Sequence, residues 1–165
     1  MVGRILCWSG GAALALVGGC VAFRALASDE TQIRWMIEDI VEGFNSAELR
    51  PVMNGLSPEF IDRTTGVRRA DLREALIYTF FQDVDPSTKE FLYRAELDTD
   101  ALAIELREDQ VSADVDAHVT FFVKRLGREE LFWDARIQGE VREFDGAWEW
   151  TATTNVNHSE RRRVR

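Results

Sequence analysis

The chain has 165 residues with a hydrophobic fraction of 45%, ten Phe and five Trp, which is enough apolar surface for one folded domain and excludes a disordered protein. Six of its 20 Lys and Arg residues lie before residue 28 or after residue 160, so the segment between them carries 14 cations against 29 acids. This negative charge excludes nucleic acid as the main partner, because phosphate backbones attract the opposite sign.

The first 27 residues are predicted to be an apolar N-terminal helix that serves as a transmembrane anchor or a signal peptide. Residues 5–23 are uncharged, and at ~1.5 Å per residue a helix of this length would cross about one bilayer core. Three interpretations stay open: an uncleaved anchor, a signal peptide cleaved just before Ser28, and a lipoprotein acylated at Cys20. All three predict a bacterial cell-envelope protein whose domain lies outside the cytoplasm, either anchored in the inner membrane through residues 5–23 or exported.

Three helices are predicted next along the chain. The first begins at Asp29, where a capping box with Gln32 is expected, because apolar residues recur at helical spacing as far as Phe44. Gly55 is expected to end a short second helix, and Pro86 prevents a third from continuing. The remaining predicted elements are the second helix over 47–54, the third over 70–83, and a small hairpin of 57–62 with 66–68.

After Thr88 apolar and polar residues alternate, which predicts strands that are buried on one face. Asp145-Gly146 predicts a tight turn before the last strand. Four connected strands are therefore predicted to form an antiparallel meander. The inward-facing set includes Phe91, Tyr93, Ala95 and Leu97, then Val111 to Val123 at every second position, and then Leu131, Trp133, Ala135, Ile137 and Val141.

The order of these elements resembles the nuclear transport factor 2-like superfamily, which includes SnoaL-like and cystatin-like domains. The resemblance rests on Leu56 to Asp62, Gly66 and Arg69 to Leu72, followed by the long meander. It implies an α+β fold over 28–158, in which three N-terminal helices pack on a curved antiparallel sheet to form a cone-shaped barrel. Residues 159–165 are predicted to be a disordered basic tail.

The resemblance also implies that any chemistry would lie inside the cone, where family enzymes such as ketosteroid isomerases and SnoaL-like cyclases place acids or histidine. Because the inward positions here are apolar, no catalytic residue, metal site or cofactor is predicted. A pocket for an apolar small molecule is a hypothesis, and its lining would be Trp35, Tyr78, Phe80, Tyr93, Phe121, Trp133, Trp148 and Trp150.

His118 shares the polar strand face with Asp114 and Asp116, and Asp134 is expected across from it. A His/Asp pair of this kind could transfer protons, but alternation places the face in solvent, so we interpret His118 as a structural surface residue.

Three functions are compatible with the sequence. It favours a non-catalytic binding or accessory module that acts through a protein partner, a second copy of itself or an apolar cavity. The alternative is a small SnoaL-like isomerase, lyase or cyclase acting on an apolar ligand, which would need a residue such as Asp83 or His118 at the base of a cavity. A dimeric structural module of an export machine would instead expose an apolar patch at Phe122, Phe132 and Phe144.

Overall fold

The computed structural model describes residues 27–125 and 127–156. The predicted N-terminal helix, the lipidation of Cys20 and the basic tail at 159–165 therefore lie outside the described residues. Within them, no helix is long and apolar enough to cross a membrane. The elements are α1 (Asp29–Asn45), α2 (Leu49–Asn54), β1 (Leu56–Asp62), α3 (Arg69–Gln82), β2 (Tyr93–Leu97), β3 (Ala103–Leu106), β4 (Ser112–Arg125), β5 (Arg128–Phe144) and β6 (Ala147–Asn155).

The three helices are confirmed, with small shifts at their starts. Ser28, not Asp29, caps α1, because its hydroxyl accepts the Thr31 N–H at 3.4 Å. Helix α2 begins two residues later than predicted, since Ala47 adopts a left-handed conformation with φ of 53° as the chain leaves α1. Helix α3 begins one residue earlier than predicted.

The sheet is mixed, which corrects the prediction of a purely antiparallel one. Its order is β1-β6-β5-β4-β2, with β3 also paired to β4, and β1 runs parallel to β6. The predicted hairpin of 57–62 with 66–68 is reduced to a single bridge between Ile61 and Arg68. Alternation identifies a strand but not its partner, which is why the distant pairing of Leu56 with Trp150 was not predicted.

The predicted antiparallel meander is present as β3-β4-β5-β6. A bulge opposite Phe121 and Phe122 inserts one extra residue, Phe132, into β5. Because an extra residue reverses the alternation beyond it, Leu131 is 63% exposed rather than inward-facing as predicted. Val111 is also exposed, since β4 begins only at Ser112, whose hydroxyl is buried against the carboxylate of Asp109.

The core lies between α1, α2 and the inner face of the sheet, and Ile33 and Val141 are wholly buried in it. Among the described residues, Ser57 and Ser112 are the only buried residues of a polar or charged type. No carboxylate, imidazole, ammonium or guanidinium group of the described chain is fully buried. The core formed by the described residues is thus apolar and contains no buried carboxylate or imidazole.

Candidate functional site

The space between the C-terminal ends of α1 and α3 and the sheet is filled by aromatic rings, here called the mouth cluster. Phe44 lies at its centre, with ring centroids of Phe80, Phe91 and Phe121 at 6.0, 5.4 and 5.6 Å. Tilted and edge-to-face contacts of this kind stabilise a core beyond the area that they bury. The cluster consists of Phe44, Phe80, Phe91, Tyr93, Phe121, Phe132 and Trp133.

Strand geometry brings the second half of this cluster together. Phe121 and Trp133 are paired across β4 and β5, and their rings stack at 5.1 Å with an interplanar angle of 21°. The bulge in β5 places Phe132 beside Tyr93, with ring centroids 5.3 Å apart. The rings therefore fill this space with their own contacts.

The eight residues that were predicted to line one pocket lie in four different places. Phe80, Tyr93, Phe121 and Trp133 belong to the mouth cluster. Trp150 is buried in the core, and Tyr78 is 67% exposed on the outer side of α3. Trp35 and Trp148 line a separate groove formed by α1, α2 and the turn between β5 and β6.

Sequence patterns assigned the other members of the mouth cluster to different roles. Phe44 and Phe91 appeared in a helical stripe and a strand alternation, which indicate burial but not mutual contact. Phe132 was predicted to lie on the outward side of β5, because no local sequence pattern indicated the bulge. The groove lined by Trp35 and Trp148 was not predicted as a separate site, since its residues come from segments that are distant in sequence.

His118 lies on the outer face of the sheet, as predicted. Its Nε2 is 2.6 Å from Oδ1 of Asp134 on the neighbouring strand, although the residue directly opposite His118 is Arg136, and its Nδ1 is 3.8 Å from Oδ2 of Asp98. The imidazole is partly exposed to solvent, and the alternation of β4 places it on the face of the sheet opposite to Phe121. No group of three or more metal-ligating side chains occurs in the described part of the chain.

Several other charged groups of this outer face form ion pairs. Arg136 binds the carboxylate of Asp116 at 2.6 Å, and Arg107 binds that of Asp114. Hydrogen bonds from these guanidinium groups lower the pKa of both carboxyls below the usual value. A general acid or base needs a pKa near the working pH, so these carboxylates are suited to structure rather than proton transfer.

Two further observations concern the predicted alternatives. Burial raises the pKa of Glu149, but this residue alternates with Trp148 and Trp150 on β6 and so points away from the cone interior. The apolar patch expected of an export module is not continuous: Phe122 and Phe144 are half-buried, and the guanidinium of Arg94 covers the Phe122 ring at 4.6 Å.

The turn that carries Phe91 into the mouth cluster depends on Asp85. Its carboxylate accepts the Ser87 hydroxyl and the N–H groups of Ser87 and Thr88, at 2.7 and 3.0 Å for the two N–H groups. These hydrogen bonds lower the pKa of Asp85 from 3.8 to about 2. The stabilisation they give is fully present above pH 3.8 and is lost as the pH falls through about 2.

We therefore expect Asp85→Asn to accelerate amide exchange at Phe91 and Leu92 at neutral pH, because the amide replaces a charged acceptor. Hydrogen exchange followed by NMR measures this effect, and an acid titration of the wild type should produce the same loosening near pH 2. Asp100→Asn, in the turn between β2 and β3, is the matched control and should leave these amides unchanged. Equal protection in Asp85→Asn and wild type would show that the carboxylate does not hold this turn.

No protein-family model matches the sequence, and no curated protein matches it. Solved structures resemble it in fold. A nuclear transport factor 2-like protein of Novosphingobium aromaticivorans superposes with a TM-score of 0.63 at 12% identity, covering 90% of each chain. A cystatin-like-fold protein of unknown function from Nostoc punctiforme gives 0.58 at 11% identity, covering 78% of this chain and 90% of that one.

A third solved structure, also from Novosphingobium aromaticivorans, bears a provisional assignment as a scytalone dehydratase. It superposes with a TM-score of 0.61 at 10% identity and covers 81% of this chain and 90% of its own. At such low identity these similarities establish the fold alone, which is that of cystatin-like and nuclear transport factor 2-like proteins.

Proposed function

We propose that this domain of cystatin-like, nuclear transport factor 2-like fold is a non-catalytic binding or accessory module that works through protein contacts. One observation carries the proposal: among the described residues the core is apolar, Ser57 and Ser112 are its only buried residues of a polar or charged type, and aromatic rings in mutual contact fill the space at its edge. Among the described residues such a core offers a bound ligand no buried carboxylate or imidazole that could act as a general acid or base.

The proposal includes a location at the outer face of the cytoplasmic membrane, with residues 5–23 as the anchor or export signal. Their uncharged length supports it. Intact-mass spectrometry of the full-length product tests it: a start at Met1 in the membrane fraction fits an anchor, a start at Ser28 a released form, and an acylated Cys20 a lipoprotein. An unprocessed chain recovered only from the cytosol would contradict all three.

The alternative function is a small isomerase, lyase or cyclase that acts on an apolar ligand inside the cone. It is favoured by solved structures of the same fold that carry enzyme assignments, including the one assigned as a scytalone dehydratase. This alternative requires the rings of the mouth cluster to separate and admit a ligand beside a titratable group.

An NMR titration with 2-naphthol, a flat apolar probe, separates the two functions. We expect no saturable shift of the indole resonance of Trp133 in the full-length protein, because that ring already stacks on Phe121. Saturable binding at this ring would support the enzyme and contradict the proposal.

A second experiment tests the protein contacts directly. A photoreactive amino acid is placed in intact cells at three separately exposed positions: Glu48, Phe81 and Gln138. We expect a discrete cross-linked polypeptide from at least one of these faces. The absence of adducts from all three would contradict a module that works through protein contacts.

A further inference from the structure

The first part of strand β5 forms an open edge of the sheet. Strand β4 pairs with β5 from Arg128 to Arg142, whereas β6 pairs only with residues 137–144. No described strand lies on the other side of residues 128–133, which we call the β5 edge. The main-chain groups of an unpaired edge bind extended polypeptide through the hydrogen bonds of a sheet. The occupant that this surface selects is therefore another strand.

The hydrogen bonds of β4 show which main-chain groups of the β5 edge point outwards. The N–H of Lys124 donates to the carbonyl of Leu92 at 2.8 Å, so Lys124 bonds towards β2. Phe122, two residues away on the same strand, bonds in the same direction. The residues opposite these two on β5 are Glu129 and Leu131. Their N–H and C=O groups consequently point away from β4, into the open edge.

The side chains of the β5 edge indicate what the occupant carries. Leu131 and Phe132 are exposed apolar side chains, which a neighbouring strand would partly cover. Glu129 and Glu130 lie just before them. Glu129 is bound by Arg94, whereas Glu130 forms no ion pair with another described residue. A strand that carries cations would complement this edge in both backbone and charge.

The chain's own C-terminal segment is aligned with the β5 edge. Strand β6 ends at Asn155, which pairs with Ile137. The N–H of Val156 then donates to the carbonyl of Arg136 at 2.9 Å, so the ladder continues one residue past β6. Because β6 runs antiparallel to β5, the chain leaves the described part in the direction of residues 128–133.

The register of this ladder places the next residues of the chain. Each further residue lies opposite one residue earlier in β5, so 161–163 fall opposite 129–131. If the extra residue of the β5 bulge is left out of the count, they fall opposite 128–130. In both registers the three arginines at 161–163 face a stretch that contains Glu129 and Glu130. Opposite charges on paired strands stabilise their pairing.

We propose that residues 157–163 extend β6 along the β5 edge, so that the chain's own basic segment completes the sheet there. Main-chain groups of the segment bond to Glu129 and Leu131, and its arginines lie beside Glu129 and Glu130. Composition alone predicted disorder for 159–165, but the open edge offers these residues a site. A strand from a partner would meet the same main-chain groups, yet only this segment is already held in register by Val156. The inference does not depend on the proposed function.

Amide hydrogen exchange followed by NMR tests the inference in the full-length protein and in a chain that ends at Val156. The N–H groups of Glu129 and Leu131 are expected to exchange about tenfold more slowly in the full-length protein, because only there does a strand cover them. Glu130 and Trp133 are internal controls, since the same alternation directs their main-chain groups towards β4. Their protection should be equal in both chains and shows that the shortened chain is folded.

A charge variant tests the role of the arginines. The triple change R161Q, R162Q and R163Q should reduce the protection of Leu131 by about three- to tenfold and make it insensitive to salt. A control removes the same charge from exposed positions elsewhere and should leave the protection unchanged; it carries Arg50→Gln, Arg73→Gln and Arg142→Gln.

Three outcomes would overturn the inference. The first is equal exchange of Glu129 and Leu131 in the full-length and shortened chains, and the second is full protection of Leu131 in the triple variant. The third is protection that increases with protein concentration, because a second copy would then supply the strand. None of these outcomes affects the proposed function, which the cross-linking and 2-naphthol experiments test separately.

Discussion

Replacing Phe44 with alanine is expected to lower the free energy of unfolding by about 3–5 kcal/mol. Phe44 contacts Phe80, Phe91 and Phe121 with its ring, so truncation removes the centre of the mouth cluster rather than one of its edges. Part of the loss is the transfer free energy of the ring, and part is the cavity that rigid neighbours leave behind. Urea unfolding of the full-length protein, followed by circular dichroism, measures the change.

Phe81→Ala is the matched control for this prediction. Phe81 belongs to α3, one residue after Phe80, but it is 78% exposed and lies outside the cluster. Its truncation should change stability by less than about 0.5 kcal/mol. If the two variants lost similar stability, the rings around Phe44 would not form the packed cluster that their contacts indicate.

The same substitution bears on function. A cavity lined by Phe80, Phe91 and Phe121 should stay dry and admit a small apolar probe such as benzene, as apolar cavities of this kind do. We expect the Phe44→Ala variant, and not the wild type, to be stabilised by benzene in thermal unfolding. Equal stabilisation of both proteins would show that the wild-type cone already contains an accessible apolar cavity, which the enzymatic alternative requires.

Gly139→Ala is the second change with a large expected effect, a loss of about 3 kcal/mol. A Cβ at position 139 would overlap the carbonyl oxygen of Ala152, and it would lie 2.8 Å from Cζ3 of Trp150 and 3.0 Å from Cα of Thr153. Because two of these three obstacles are backbone atoms, the methyl group can be accommodated only if β5 and β6 move apart. Thermal and urea unfolding measure the loss.

The neighbouring substitution Gln138→Ala serves as the control. Gln138 is exposed on the same strand, and its side chain makes one hydrogen bond to Asp116, at 2.7 Å. Its removal should cost less than about 0.5 kcal/mol, as is usual for surface positions. A Gly139→Ala variant as stable as Gln138→Ala would mean that the close approach of β6 is not required by the fold.

The elements of this fold could be predicted from local periodicity, and their long-range pairing could not. The stripe that includes Ile33 and Ile37 identified α1, because a helix buries every third or fourth residue. The alternation from Ala113 to Val123 identified β4 for the corresponding reason. The parallel pairing of β1 with β6 joins segments about ninety residues apart in the chain, and no local pattern records such a contact.

The candidate site was predictable only in part. Aromatic residues on inward strand positions, such as Phe121 and Trp133, were expected to lie together, and their rings do stack. Trp35 and Trp148 were assigned to the same pocket, yet they line a groove of their own. Composition shows that a chain is rich in tryptophan, but the placement of each ring depends on helix packing and on bulges, which are tertiary properties.

The ion-paired outer face of the sheet restricts how two copies could associate. Stacking one sheet on another would strip water from Arg136 and Asp116, from Arg107 and Asp114, and from the pair that joins Arg63 to Glu140. The dehydration of paired charges often exceeds what their mutual attraction returns in a dry contact. Stacking of two copies sheet on sheet is therefore disfavoured, and self-association would be easier through a surface that does not bury these ion pairs.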